Sequence, residues 1–202
     1  MTSSPPLPSP NALRALQLGA LALLVAGNLA FSVLAALDSE HVMHWYGSGI
    51  PFSLFAAIAL AVLFVRVQHA AFALGGPAPV ARVLSSIFLC TVVAFIGLPL
   101  LIYRTGSAVA VALDDDGIRS RAIAAAWAVG LAPVFIGFGG RLLAVGLELP
   151  WMATSTLVSF ATVLLSGIAT QVVAAPVIEA LRGRAPLHGV DASNTSAAIR
   201  SL

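Results

Sequence analysis

Glu40, His41 and His44 fall together early in the chain, and all three can bind a metal. Imidazole and carboxylate suit zinc and similar divalent ions. The two histidines follow H-x-x-H, whereas a helical zinc pair stands four residues apart, and no third ligand is secured. Asp114-Asp115-Asp116-Gly117 offers the oxygen ligands that calcium or magnesium prefer. It lacks the EF-hand pattern, and Arg119 and Arg121 stand beside it to neutralise the charge. Cys90 is the single cysteine, which excludes an internal disulfide and a cysteine-based zinc site. No His or Asp accompanies it in a nucleophile arrangement. A P-loop, G-x-S-x-G, H-E-x-x-H or dinucleotide fingerprint does not occur. The expectation is no catalytic residue, no cofactor and no metal.

Polar residues inside apolar runs are the other candidates. Ser155, Ser159, Thr162, Ser166 and Thr170 follow one another in steps of 4, 3, 4 and 4, which keeps five hydroxyls on one helical face. They read as a packing seam, with a polar pathway or a ligand-facing wall as the sharper alternative. A substrate route usually needs intramembrane charge or broken helices, and this stretch carries no charge between Trp151 and Ile178. Hydroxyls can also bond the carbonyl one turn back. Gln17 and Asn28 are three turns apart and share a face; Asn28 needs a partner, most simply a Ser or Thr on a neighbouring helix. Arg141 and Glu148 are two turns apart and would share a face if their helix continued; they could pair, or Arg141 could snorkel to a phosphate.

The segments that must hold these residues are long and apolar. The chain has 202 residues, 59% of them hydrophobic and 9% charged, with a mean hydropathy of +1.00. Soluble domains carry roughly 25% charged residues. A soluble protein of this size could not cover so much apolar surface. All ten basic residues are arginine, a compositional pointer to a GC-rich bacterial genome. A net charge of +2, with arginines at segment ends and not in a patch, is too small to suggest nucleic acid, and no nucleic-acid partner is expected.

In order, residues 1–11 form a Ser/Pro-rich disordered tail, residues 12–181 a transmembrane helical bundle, and residues 182–202 a polar tail. A signal peptide competes for the first segment, but the run is too long and lacks a cleavage site. Helices are predicted over Ala12–Leu37, Pro51–Leu74, Val80–Tyr103, Ala122–Phe138 (or on to Gly146) and Trp151–Ala180. A polar loop is expected over Asp38–Gly49, and a short strand hairpin around Ser107–Leu113 and Ile118–Ser120. The fold class is all-α: a polytopic bundle of about five spans, with four as the alternative, each matching a core ~30 Å thick. Small residues at helical spacing supply the seams: Ala15, Gly19, Ala22, Ala26 and Ala30 in the first helix, Ser86, Cys90, Ala94 and Gly97 in the third, and Ala126, Gly130, Pro133, Gly137 and Gly140 in the fourth.

The positive-inside rule places the N-terminus in the cytoplasm and the arginine-free Asp38–Gly49 loop outside. Five spans then strand Arg104, Arg119, Arg121, Arg182, Arg184 and Arg200 outside, against the rule. Either the first helices dominate or one later segment does not span.

Within that first loop His44, Trp45, Gly49 and Pro51 resemble the H-W-x-x-x-G-x-P loop of a bacterial domain-of-unknown-function family at the N-terminus of SdpI-type immunity and signalling membrane proteins. Asp38 stands where that family usually has Pro, and Phe52 where it has Asp. The resemblance implies an outside loop in a membrane protein and transfers no activity. His44-Trp45-Tyr46 also suits an interfacial aromatic anchor.

The residues therefore point to a small integral membrane protein of the bacterial inner membrane. The expected role is non-enzymatic, accessory, immunity-like or sensing, exercised through helix contacts. Its partners are the lipid bilayer and another membrane protein or a second copy. A small-solute transporter, or a membrane-embedded subunit of one, is the alternative.

Overall fold

The computed structural model describes residues 8–37, 42–79, 84–87, 94–146, 160–161 and 163–184. Among them there is no strand. The helices are α1 (Pro10–Leu37), α2 (Val42–Ala73), α3 (Ala94–Leu113), α4 (Asp116–Gly146) and α5 (Val163–Arg184), with a helical turn at 84–87.

Local chemistry sets the helix ends. Ser9 caps α1: its Oγ accepts the Ala12 N–H at 3.2 Å, and Pro10 takes the first helical position, where a missing N–H costs nothing. α2 ends in a Schellman motif, with Gly76 N–H on the Ala71 carbonyl at 2.9 Å and Gly75 N–H on that of Phe72 at 3.0 Å. Gly75 has φ 105°, which only glycine adopts freely. α3 ends the same way, but Asp114 holds the left-handed position with φ 52°, and Asp115 N–H bonds the Ala110 carbonyl at 3.0 Å. Asp115 then caps α4, its carboxylate accepting the Gly117 N–H at 2.8 Å.

The expected strand hairpin is absent: Ser107–Leu113 is the last part of α3, and Ile118–Ser120 lies in the first turns of α4. SAVAVAL alternates only weakly, and a lone two-stranded ribbon has no sheet to bury it. The expected loop Asp38–Gly49 is also shorter. α2 begins at Val42, so His44, Trp45, Gly49 and Pro51 fall within the helix.

Helix directions follow from contacts between named residues. The four-residue gap between Leu37 and Val42 makes α1 and α2 an antiparallel hairpin, so Pro10 and Ala73 share one end. α2 and α3 run parallel: Gln68 pairs with Thr105, and further along a methyl on Gly76 would meet the Ala108 carbonyl and Ala112 at 3.0 Å. α3 and α4 turn back on each other at Asp114, with Gly106 packed against Ala122. α5 runs antiparallel to α1, since Gly167 faces Leu21 while Glu179 and Arg182 share a cleft with Arg14.

Two consequences follow for the spans. Pro79 and Leu113 lie at the same end of the bundle, so the stretch between them returns to the side it left. Arg14 and Arg182 also lie at one end, so the helical part of the chain makes an even number of crossings. Four helices among the described residues are long and apolar enough to cross a membrane: Pro10–Ala30, Leu54–Ala73, Ile96–Leu113 and Val163–Arg184.

Position separates α3 from the others. From Ala94 to Thr105 it rises about 16 Å, whereas α2 rises about 39 Å from Val42 to Gln68, and α4 about 36 Å from Ala122 to Gly146. α3 therefore starts about half-way along the bundle. α4 makes the full traverse, with no charged residue in Ala122–Gly140. Four helices long and apolar enough to cross, against about five expected, match the four-span alternative.

The arginines now sort themselves. Arg14, Arg66, Arg104, Arg119, Arg121, Arg182 and Arg184 stand in the half of the bundle that holds the Gly75 and Asp114 turns, and Arg141, late in α4, stands in the other. The protein is a multi-pass helical membrane bundle whose core includes Leu63, Phe64, Val67, Leu101, Ile102, Val173 and Val177.

Candidate functional site

Two polar features lie in the arginine-rich half. The first is a buried hydrogen bond, Gln68 Nε2 donating to Thr105 Oγ1 at 2.9 Å. The second is a cleft of about 210 Å³ between α1 and α5, lined by Arg14, Gln17, Gln171, Glu179 and Arg182 among others. Gln17 is 3% exposed, and its Nε2 has no hydrogen-bond partner. Among the described residues Arg121 pairs with Asp115, at 3.7 Å, away from this cleft. That pair, and the bond from Arg121 Nε to the Gly117 carbonyl at 3.1 Å, ties the Asp114–Asp116 turn to its own helix.

A separate apolar groove of about 480 Å³ runs between α3 and α4, lined by Ile96, Pro99, Tyr103, Trp127, Gly130 and Leu131 among others. Pro99 and Gly130 leave space where longer side chains would fill the seam. This groove can hold apolar matter and offers no set of groups for acid–base or nucleophilic chemistry. Among the described residues no group of three His, Cys, Asp or Glu side chains could hold a metal ion.

The hydroxyl line divides. Ser166 and Thr170 are buried, and the Thr170 hydroxyl donates to the Gly167 carbonyl on its own helix at 2.8 Å. Ser155, Ser159 and Thr162 lie outside the described residues, as do Glu40, His41, Cys90 and Glu148. Asn28 donates to the Leu24 carbonyl one turn back at 2.8 Å, not to the neighbouring hydroxyl the sequence suggests. The four-residue step places that carbonyl within reach without any second helix. The backbone at His44, Trp45, Gly49 and Pro51 is helical, which places them on α2 and away from the cleft.

Four of the five small residues in the α1 stripe face outward, and Ala30 is half-buried. Ala15, Gly19, Ala22 and Ala26 are exposed, and a methyl on Gly19 would meet nothing within 4 Å. The buried face of α1 carries Leu13, Gln17, Ala20 and Gly27 instead. Among the described glycines the closest packing is elsewhere, at Gly106 against Ala122. Neither residue belongs to a stripe predicted from spacing.

Glu179, Gln171 and Arg182 were not legible as a group from the sequence. They sit near the end of the last helix, where polar residues are routine, and Arg14 and Gln17 sit near the start of the first. The chain matches no protein-family model, no curated protein and no solved structure.

Proposed function

We propose that this is a non-enzymatic accessory or sensing protein of the bacterial inner membrane that acts by packing a partner helix against α1. The observation that carries the reading is the uncovered row Ala15, Gly19, Ala22 and Ala26. Helices in lipid gain nothing from burying leucine, because lipid is equally apolar. They associate where small residues let backbones approach. A chain that leaves such a row outward, while packing its own α1 through another face, has a surface suited to a second helix. The arginine-rich end of the bundle is cytoplasmic in this reading, by the positive-inside rule.

The test is association in native membranes. Gly19→Leu and Ala22→Leu should weaken cross-linking through α1, to a second copy or to a partner of fixed mass. Leu164→Ala on α5 should leave it unchanged. Association that is equal in all variants would sink the reading.

One observation favours the second reading, a small-solute transporter or a membrane subunit of one. The described part of α3 begins about half-way along the bundle, and helices that start inside a bundle commonly frame substrate sites. Solute uptake into vesicles carrying the protein separates the two readings, since an accessory protein confers none.

A further inference from the structure

We propose that the cleft between α1 and α5 binds the phosphate of a lipid headgroup, and that Glu179 favours headgroups carrying an ammonium group. Two guanidinium groups, Arg14 and Arg182, line the same small cleft as one carboxylate, Glu179, which leaves it net positive. Guanidinium recognises phosphate through paired, charge-assisted hydrogen bonds.

Gln17 is the second, independent observation. Its side chain lines the cleft almost wholly buried, and its Nε2 lacks an acceptor. A buried donor left unmade costs about 1–3 kcal/mol, so such groups normally have a partner. That nitrogen is itself shut off from the open space, so it reaches a phosphate oxygen in the cleft once the Gln17 side chain turns.

Depth is the third. Gly167 packs against Leu21, and Gly106 against both Ala122 and Val173. Reckoned along the helices at about 1.5 Å per residue, Gln17 and Gln171 lie near the level of Arg66 and Arg104. Exposed arginines at that level mark where hydrocarbon gives way to headgroups. Leu18 and Ile178 add an apolar wall to the cleft. A phospholipid presents this combination, with its phosphate at the interface and its chains in the core. A primary ammonium on the headgroup would reach Glu179 as a donor, which a quaternary ammonium cannot do.

The experiment uses the full chain, delipidated in mild detergent. Bound lipid is counted by native mass spectrometry and affinity is read from thermal stabilisation on adding lipid. The probes are phosphatidylethanolamine, phosphatidylglycerol, phosphatidylcholine and inorganic phosphate. Wild type should bind phosphatidylethanolamine most tightly. The Arg14→Gln/Arg182→Gln double variant should bind it roughly tenfold or more weakly, as expected for losing charge-assisted bonds. Gln17→Leu should also weaken it. Glu179→Gln should keep phosphatidylglycerol binding and lose the preference for the ammonium headgroup. Arg184→Gln, outside the cleft, should behave as wild type. A monodisperse double variant that binds phosphatidylethanolamine as wild type does would overturn the site. Inorganic phosphate stabilising as well as the lipids would overturn the lipid source. Equal binding of all three lipids would overturn the role of Glu179.

Discussion

Gln68 on α2 donates a 2.9 Å hydrogen bond to Thr105 on α3, inside the bundle and 37 residues away along the chain. This contact links the first hairpin to the second and fixes α3 parallel to α2. Thr105→Val keeps the shape and removes the acceptor, leaving the Gln68 amide buried without a partner. The expected loss is about 1–2 kcal/mol, measured by unfolding in mixed micelles. The double variant Gln68→Leu/Thr105→Val should recover part of that loss, because no polar group is then stranded. An additive double variant would show that the bond is not coupled.

Gly106 and Ala122 set the separation of α3 and α4. A methyl at Gly106 would overlap the Ala122 side chain, so the backbones must move apart to accept it. Gly106→Ala should therefore destabilise by about 1–3 kcal/mol, the usual range for overpacking. Ala122→Gly in the same chain vacates the overlap and should restore most of the loss. Stability of Gly106→Ala equal to wild type would contradict this packing.

Asp114 occupies a left-handed position with φ 52° that glycine holds without strain. Asp114→Gly should raise stability by up to about 1 kcal/mol. Asp115→Ala should lower it by about 1 kcal/mol, because it removes the cap on the Gly117 N–H. The two neighbours thus carry opposite expected signs, which a thermal shift of each variant checks directly.

Arg14 and Arg182 line one cleft, so the two ends of the helical part face the same side. Reporters fused ahead of Ser9 and after Arg184 should both read cytoplasmic. Single cysteines at Ser9 and Arg184 should be protected from an impermeant reagent applied outside intact cells. A C-terminal fusion that reads periplasmic would contradict the four-span arrangement.

Asn28 is satisfied by the Leu24 carbonyl of its own helix. Asn28→Leu should accordingly change stability by less than about 0.5 kcal/mol, far below the effect of Thr105→Val. A large loss would mean that Asn28 has a partner beyond α1.

The class of protein was legible without coordinates, because lipid is the one solvent that suits 59% hydrophobic and 9% charged residues. Helix chemistry was legible as well. Spans of apolar residues in lipid must satisfy every backbone group internally, and Gly75-Gly76-Pro77 and Asp114-Asp115-Asp116 interrupt such spans wherever they occur. The arginine pattern even exposed the conflict in a five-span topology.

Only the tertiary structure decided how the helices face one another, because no local property of an apolar helix names its neighbour. The decision lies in the pairing of Gln68 with Thr105 and of Gly106 with Ala122, which are contacts between distant parts of the chain. The same holds for the cleft. Arg14 and Gln17 near one end of the bundle's chain, and Glu179 and Arg182 near the other, become one site because α1 and α5 lie antiparallel. Spacing along a helix reports which residues share a face. It does not report what that face meets, which is why the small-residue row of α1 looked like an internal seam and stands uncovered.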